Sequence, residues 1–125
     1  MTFDLAIRTA LLQKYADFQT RSPRSEYWWF ALFTLLISIL GSILQAGLGG
    51  FGAVISIILN LGILIPSIAV TIRRFHDIDM SGWWILILLI PLVNIIMILI
   101  WFTRRGSEGS NRFGEDPLSP GVDVF

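Results

Sequence analysis

Long uncharged stretches dominate the pattern of hydrophobic and polar positions along this chain. No Asp, Glu, Lys, Arg or His occurs between Glu26 and Arg73, and a second uncharged stretch separates Asp79 from Arg104. A helix needs about 20 apolar residues to cross the hydrocarbon core of a bilayer. The first stretch therefore has room for two crossings and the second for one. We expect spans over residues 27–46, 51–72 and 83–102.

The third apolar segment allows two arrangements, because Pro91 interrupts it. A single kinked crossing is the favoured prediction, since neighbouring groups can satisfy the backbone that proline frees. The alternative is a re-entrant hairpin, because each half of the segment has only about eight residues and is too short to cross.

The two ends of the chain differ from the apolar region of residues 23–105. Residues 1–22 form an N-terminal arm with a helix predicted over 3–19, in which Phe3, Ile7, Ala10, Leu11 and Phe18 share one face. That face either docks on the membrane domain or lies on lipid, and both alternatives stay open. Residues 106–125 are rich in Gly, Ser, Asn, Asp and Pro and predict an irregular polar tail.

Composition supports an all-α membrane protein. Of the 125 residues, 54% are hydrophobic and 14% are charged, against about 25% charged in an ordinary soluble domain. The chain has no cysteine, which excludes disulfides and cysteine-ligated metal sites. The basic residues border the apolar stretches instead of forming a broad basic face, so nucleic acid is not an expected partner.

The positive-inside rule predicts a cytoplasmic N-terminus, because four basic residues precede the first span and Arg73 and Arg74 follow the second. A third full crossing would then leave Arg104, Arg105 and Arg112 outside, whereas a re-entrant hairpin would return the tail to the cytoplasm.

Polar residues also mark one face of each of the first two spans. We expect these two stripes to face each other and to support helix packing, because small and polar side chains allow close approach and hydrogen bonding in lipid. The alternative is a hydrated path through Gln45 and Asn60, as in a transport or channel accessory. The seam residues are Ser38, Ser42, Gln45, Ser56, Asn60 and Ser67.

The largest concentration of charged and aromatic side chains lies where the second span ends. A simple interpretation is that its arginines anchor the helix. The functional one is recognition of a lipid phosphate or of a partner's acidic segment, since arginine offers a bidentate fork. An interfacial enzyme using His76 and Asp77 is a further alternative, although neither a catalytic set, a cofactor nor a metal is expected. The candidate binding residues are Arg73, Arg74, His76, Asp77, Trp83, Trp84, Arg21 and Arg24.

Four motifs in order, RSPRSEYWWF (21–30), RRFHDIDMSGWW (73–84), Ile90-Pro91 and GSEGSNRFGEDP (106–117), resemble the small bacterial inner-membrane proteins of the domain of unknown function 805 family. Thr20 stands where that family usually has glycine, and Glu115 where proline is common. The resemblance implies a multi-pass protein of the bacterial cytoplasmic membrane with no established activity. We expect the protein to contact the lipid bilayer and its anionic head groups. We also expect it to associate with a second copy of itself or with another membrane protein.

Overall fold

The computed structural model describes residues 2–118, and every regular element in that range is helical. The all-α prediction is therefore confirmed for these residues, whereas residue 1 and positions 119–125 of the predicted tail lie outside them. The elements are α1 (Phe3–Arg8), which continues as a π-helical stretch (Thr9–Gln13), α2 (Arg24–Leu48), α3 (Gly50–Asp77), a 3₁₀ helix (Gly82–Leu89) and α4 (Val93–Trp101).

Helices α2 and α3 form an antiparallel hairpin and are long and apolar enough to cross a membrane. With 25 and 28 residues, they measure about 37 and 42 Å at 1.5 Å per residue. Gly49 alone separates them, with φ 58°, a backbone conformation that glycine adopts without steric cost. The first two predicted spans lie inside these helices, but α3 continues beyond the predicted end at residue 72 as far as Asp77.

Close approach of α2 and α3 depends on two glycines. A Cβ on Gly41 would lie 2.5 Å from the Oγ of Ser56, and a Cβ on Gly52 would overlap the backbone carbonyl of Leu44. Small residues at such contacts let helix backbones pack closely without a hydrophobic driving force.

The N-terminal arm packs against both long helices. Ala6, Thr9 and Ala10 are buried, and Ala10 joins Phe30 and Val70 in a core cluster. Ile7 and Leu11 are partly buried against this cluster, whereas Leu12 is 77% exposed. The helix ends at Gln13 and not at the predicted residue 19, because the backbone of Lys14 (φ −130°, ψ 39°) leaves the helical region.

The third apolar segment is a pair of short helices, so the favoured prediction of one kinked helix over residues 83–102 is wrong. Ile90 is extended (φ −87°, ψ 116°) because the proline that follows it disfavours the helical region, and Leu92 has φ 69°. The two ends of the segment meet, with the rings of Trp84 and Trp101 at 5.8 Å. Trp101 also lies 5.7 Å from Phe75, near the end of α3.

The tail follows an irregular path back over the end of α3. The N–H of Ser107 donates to the carbonyl of Asp77 at 2.7 Å. Asn111 and Gly114 exchange two backbone hydrogen bonds of 3.0 and 3.1 Å, which closes a tight turn. The tail thereby comes to the same end of the molecule as the start of α2.

Candidate functional site

A buried ion pair joins the start of α2 to the end of α3. The guanidinium of Arg73 lies 2.5 Å from the Glu26 carboxylate, and both side chains are almost fully buried. Arg73 also donates to the hydroxyl of Ser22 at 2.8 Å and to the carbonyl of Lys14 at 2.8 Å. One side chain therefore connects the arm and both long helices.

A second buried group centres on Asp77. One carboxylate oxygen accepts from Arg21 at 3.1 Å, and the other forms an ion pair with Arg74, three residues earlier on α3. Arg74 also donates to the carbonyl of Arg104. Buried charges are retained only where they are paired and hydrogen-bonded. We call Arg21, Glu26, Arg73, Arg74 and Asp77 the charge cluster.

The tail closes over the charge cluster through its backbone. Arg21 donates to the carbonyl oxygens of Ser107 at 2.6 Å and Gly109 at 2.7 Å. Gly106 lies directly against the Asp77 carboxylate, where any Cβ would overlap the carboxylate oxygens. Sequence reasoning treated the tail as irregular and missed this role. The glycines of its motif were the available signal, since only glycine permits so close a backbone approach.

His76 and Asp77 are adjacent in sequence but bond different groups. The Nδ1 of His76 lies 3.0 Å from the carbonyl oxygen of Thr20, and since a carbonyl only accepts, Nδ1 carries the proton. The ring stacks on Phe113 at 3.9 Å and 3°, and Asn111 donates to the His76 carbonyl at 2.9 Å. The described residues contain no group of His, Cys, Asp or Glu that could hold a metal ion.

Arg24 and the tryptophans surround the charge cluster at its edge. Arg24 donates to the carbonyl of Thr103 at 3.0 Å, and the indole of Trp28 donates to that of Phe102 at 2.8 Å. Trp83 is 78% exposed and stands at the start of the apolar hairpin with Trp84. Binding of lipid or of a partner by these side chains stays a prediction.

The comparisons with known proteins agree with the motifs. A family model described as a protein of unknown function, DUF805, matches residues 15–115. The chain belongs to the DUF805 family. The Escherichia coli K12 inner membrane protein YhaI is 35% identical over 108 residues, which cover 86% of this chain and 92% of YhaI. Inner membrane protein YhaH of the same strain is 36% identical over 111 residues, with the same coverage. No solved structure matches.

The predicted polar seam is not assembled as expected in this DUF805 protein. Its side chains bond mostly within their own helices, as Ser42 does to Ser38 at 3.1 Å and Asn60 to Ser56 at 2.8 Å. Ser56 is buried against Gly41, and Ser67 is half-buried. The exposed members are Ser38, Ser42, Gln45 and Asn60. Side chains that satisfy their own helix carbonyls do not need a facing helix.

Proposed function

We propose that this chain is a non-enzymatic module of the bacterial inner membrane that binds lipid through its cytoplasmic end. The observation that carries the proposal is the charge cluster, which the tail closes at the same end of the molecule as the start of α2. This arrangement gives an ordered polar cap at one end of a helical hairpin that is long and apolar enough to cross a membrane.

The distribution of charge supports a cytoplasmic location for this cap. The chain has nine Lys and Arg residues, all of which precede the first span, end α3 or follow α4. The turn around Gly49 at the opposite end has none. With the tail returned to the cap, every basic residue lies on the side that the positive-inside rule makes cytoplasmic, and the conflict that a third crossing creates is removed.

The dimensions of the third segment support partial entry into the membrane. The 3₁₀ helix of eight residues is about 16 Å long, and the nine residues of α4 span about 14 Å. Each is about half of the 30 Å hydrocarbon core. The apolar tip around Pro91 is exposed, as Leu89 and Leu92 at 75% each illustrate. We therefore interpret residues 82–101 as a re-entrant hairpin that enters from the cytoplasmic face.

The bonding of the polar residues supports a non-enzymatic role. General acid–base chemistry needs a side chain within hydrogen-bonding reach of a substrate. Glu26 and Asp77 instead face Arg73, Arg21 and Arg74 in the protein interior. Their partners hold them as structural ions, which favours a binding module over the alternative of an interfacial enzyme.

Single-cysteine labelling tests the topology without background, because the chain has no native cysteine. Ser110→Cys in the tail and Gln19→Cys in the arm should react with an impermeant maleimide only when the cytoplasmic face is opened. Gly50→Cys, where nothing lies within 4 Å of the added Cβ, should react in intact spheroplasts. Reaction of Ser110→Cys from the outside would show that the third segment crosses, and the re-entrant assignment would fail.

Native mass spectrometry of the full chain, released from the inner membrane in mild detergent, tests lipid binding. We expect phospholipid adducts that survive delipidating washes which strip lipid from an unrelated two-span helical hairpin. A wild-type chain that keeps no lipid above that control would refute the binding role, whatever the topology result.

A further inference from the structure

The two ends of the α2–α3 hairpin differ in how much protein surrounds them. Toward the turn the apolar side chains are open, as Ile43 at 62% and Phe51 at 67% exposed illustrate. The hydrophobic core lies toward the cap, and its members on these two helices, among the described residues, are Phe30, Ala69, Val70 and Phe75. The arm and the third segment supply the protein that covers this end.

The arm lies across α2 at one level instead of running along it. The ring of Phe3 packs edge-on against Trp29 at 5.7 Å, and Ala10 clusters with Phe30, the next residue of α2. Phe3 and Ala10 are seven residues apart, which is about 10 Å along a helix, yet they contact adjacent positions of α2. Because Trp29 stands only about 8 Å from the first residue of α2, the arm lies at the cytoplasmic boundary of the span, as interfacial helices do.

The third segment also joins the hairpin at the cap. The ring of Phe102 lies 4.5 Å from Tyr27, near the start of α2, and 4.9 Å from Phe75, near the end of α3. The 3₁₀ helix begins at Gly82, where a Cβ would lie 2.8 Å from the side chain of Ile72. Both halves of the segment therefore leave from the cap, and each is long enough for only about half of the hydrocarbon core.

The cross-section of the protein consequently differs between the two leaflets. Five helical segments of the described chain lie in or against the cytoplasmic leaflet: the arm, α2, α3, the 3₁₀ helix and α4. Only α2 and α3 are long enough to continue through the periplasmic leaflet. Since a helix with its side chains is about 10–12 Å across, the described chain is a wedge with its broad end at the cap. This shape rests on the proposed re-entrant arrangement of residues 82–101, and not on lipid binding by the cap.

We infer that the wedge makes this protein concentrate where the membrane is convex toward the cytoplasm. Such bending spreads the lipids of the cytoplasmic leaflet and crowds those of the periplasmic leaflet. The broad end then fills space in the spread leaflet, while the narrow end displaces few lipids in the crowded one. Helices that insert into one leaflet are sensitive to curvature in the same way. The partner that the shape fits is a curved bilayer.

A membrane tube pulled from a giant vesicle tests this preference, because the full chain diffuses between the flat vesicle and the curved tube. Ser110→Cys marks the cap and Gly50→Cys marks the turn, and an impermeant dye labels only the end that faces outward. The two variants therefore report cap-out and cap-in molecules of nearly the same protein. The outer leaflet of the tube is convex, so we expect cap-out molecules to be enriched in the tube by about twofold or more and cap-in molecules to be depleted.

The comparison of the two orientations makes the result specific to the wedge. Equal tube-to-vesicle ratios for cap-out and cap-in molecules, or enrichment of both, would overturn the inference, as would the reverse order. An unrelated two-span helical hairpin, labelled at either end, is the control and should show no difference between orientations. Circular dichroism should give both cysteine variants the helix content of the wild type, because Ser110 is exposed and nothing lies within 4 Å of a Cβ on Gly50.

Failure of this inference can be distinguished from failure of the proposed function. If Ser110→Cys reacts from the outside of spheroplasts, the re-entrant arrangement fails and the wedge fails with it. If it reacts only from the cytoplasmic face while the tube ratios are equal, the topology stands and the curvature preference is wrong. Retention of phospholipid in native mass spectrometry is measured independently of both results.

Discussion

The hydroxyl of Tyr15 donates a 2.8 Å hydrogen bond to the backbone carbonyl of Gly62, in the middle of α3. Four residues after Gly62 stands Pro66, inside the helix and without an N–H. The carbonyl of Gly62 therefore lacks its ordinary partner along the helix, and the N-terminal arm supplies a replacement. This contact explains both how the arm is fixed to α3 and how a proline is tolerated in an apolar helix.

Tyr15→Phe should loosen the arm by about 1 kcal/mol, the usual worth of such a hydrogen bond. In the Pro66→Ala background the new N–H should bond Gly62, so the same substitution should cost clearly less. Thermal unfolding of the four chains in detergent micelles gives the coupling energy of this double-mutant cycle. Equal costs in both backgrounds would contradict the role assigned to Tyr15.

The buried pair of Arg73 and Glu26 should be sensitive to the loss of one partner. Glu26→Gln leaves a buried cation without its counter-charge, and we expect a loss of about 3–5 kcal/mol. Replacing both residues, with Glu26→Leu and Arg73→Met, should cost less than Glu26→Gln alone, since no unpaired charge remains. Thermal unfolding monitored by circular dichroism measures all three chains.

The control for that experiment is Arg8→Gln, which breaks the arm's ion pair with Asp4. Those side chains are 60% and 73% exposed, and such pairs contribute about 0–1 kcal/mol. A loss in Glu26→Gln no larger than in Arg8→Gln would show that the Arg73 pair does not stabilise the fold.

Gly52→Ala should destabilise the hairpin, because its methyl group would overlap the backbone of Leu44. Backbone atoms do not rotate away, so α2 and α3 must separate locally, and we expect a cost of about 1–3 kcal/mol. Gly47→Ala, with nothing within 4 Å of its Cβ, is the matched control and should be neutral or slightly stabilising through helix propensity. A reversed order of the two variants would argue against this helix contact.

Acid should loosen the turn at residues 14–20 through Asp17. Partial burial alone would raise the pKa of this carboxyl, but hydrogen bonds from Thr20 and Gln19 outweigh it and lower the pKa below 3.8. The unfolded chain therefore binds a proton at higher pH than the folded one. The stabilisation is complete above the unfolded value of 3.8 and is lost as the pH falls through the lower folded value.

Amide hydrogen exchange at Gln19 and Thr20 measures this effect, expressed as protection relative to the intrinsic rate at each pH. Protection should decline below the ordinary aspartate range in the wild type. Asp17→Asn should start with lower protection and show no such decline. Protection that falls equally in both chains would exclude Asp17 as its source.

The sequence by itself determined the two long apolar helices. Hydrophobicity adds up residue by residue, so the length of the uncharged stretch between Glu26 and Arg73 identifies two spans without any knowledge of how they pack. The bordering arginines and tryptophans likewise follow from the chemistry of the membrane boundary. The family could be recognised for the same reason, because its motifs are local.

Only the tertiary structure decided which charges neutralise each other and where the third segment ends. Arg21 and Asp77 are 56 residues apart along the chain, and Arg73 and Glu26 are 47 apart. Short-range sequence patterns do not encode such pairings, because the pairings depend on how the helices and the tail approach one another. Pro91 permitted both a kink and a hairpin, and the contact between Trp84 and Trp101 distinguishes them.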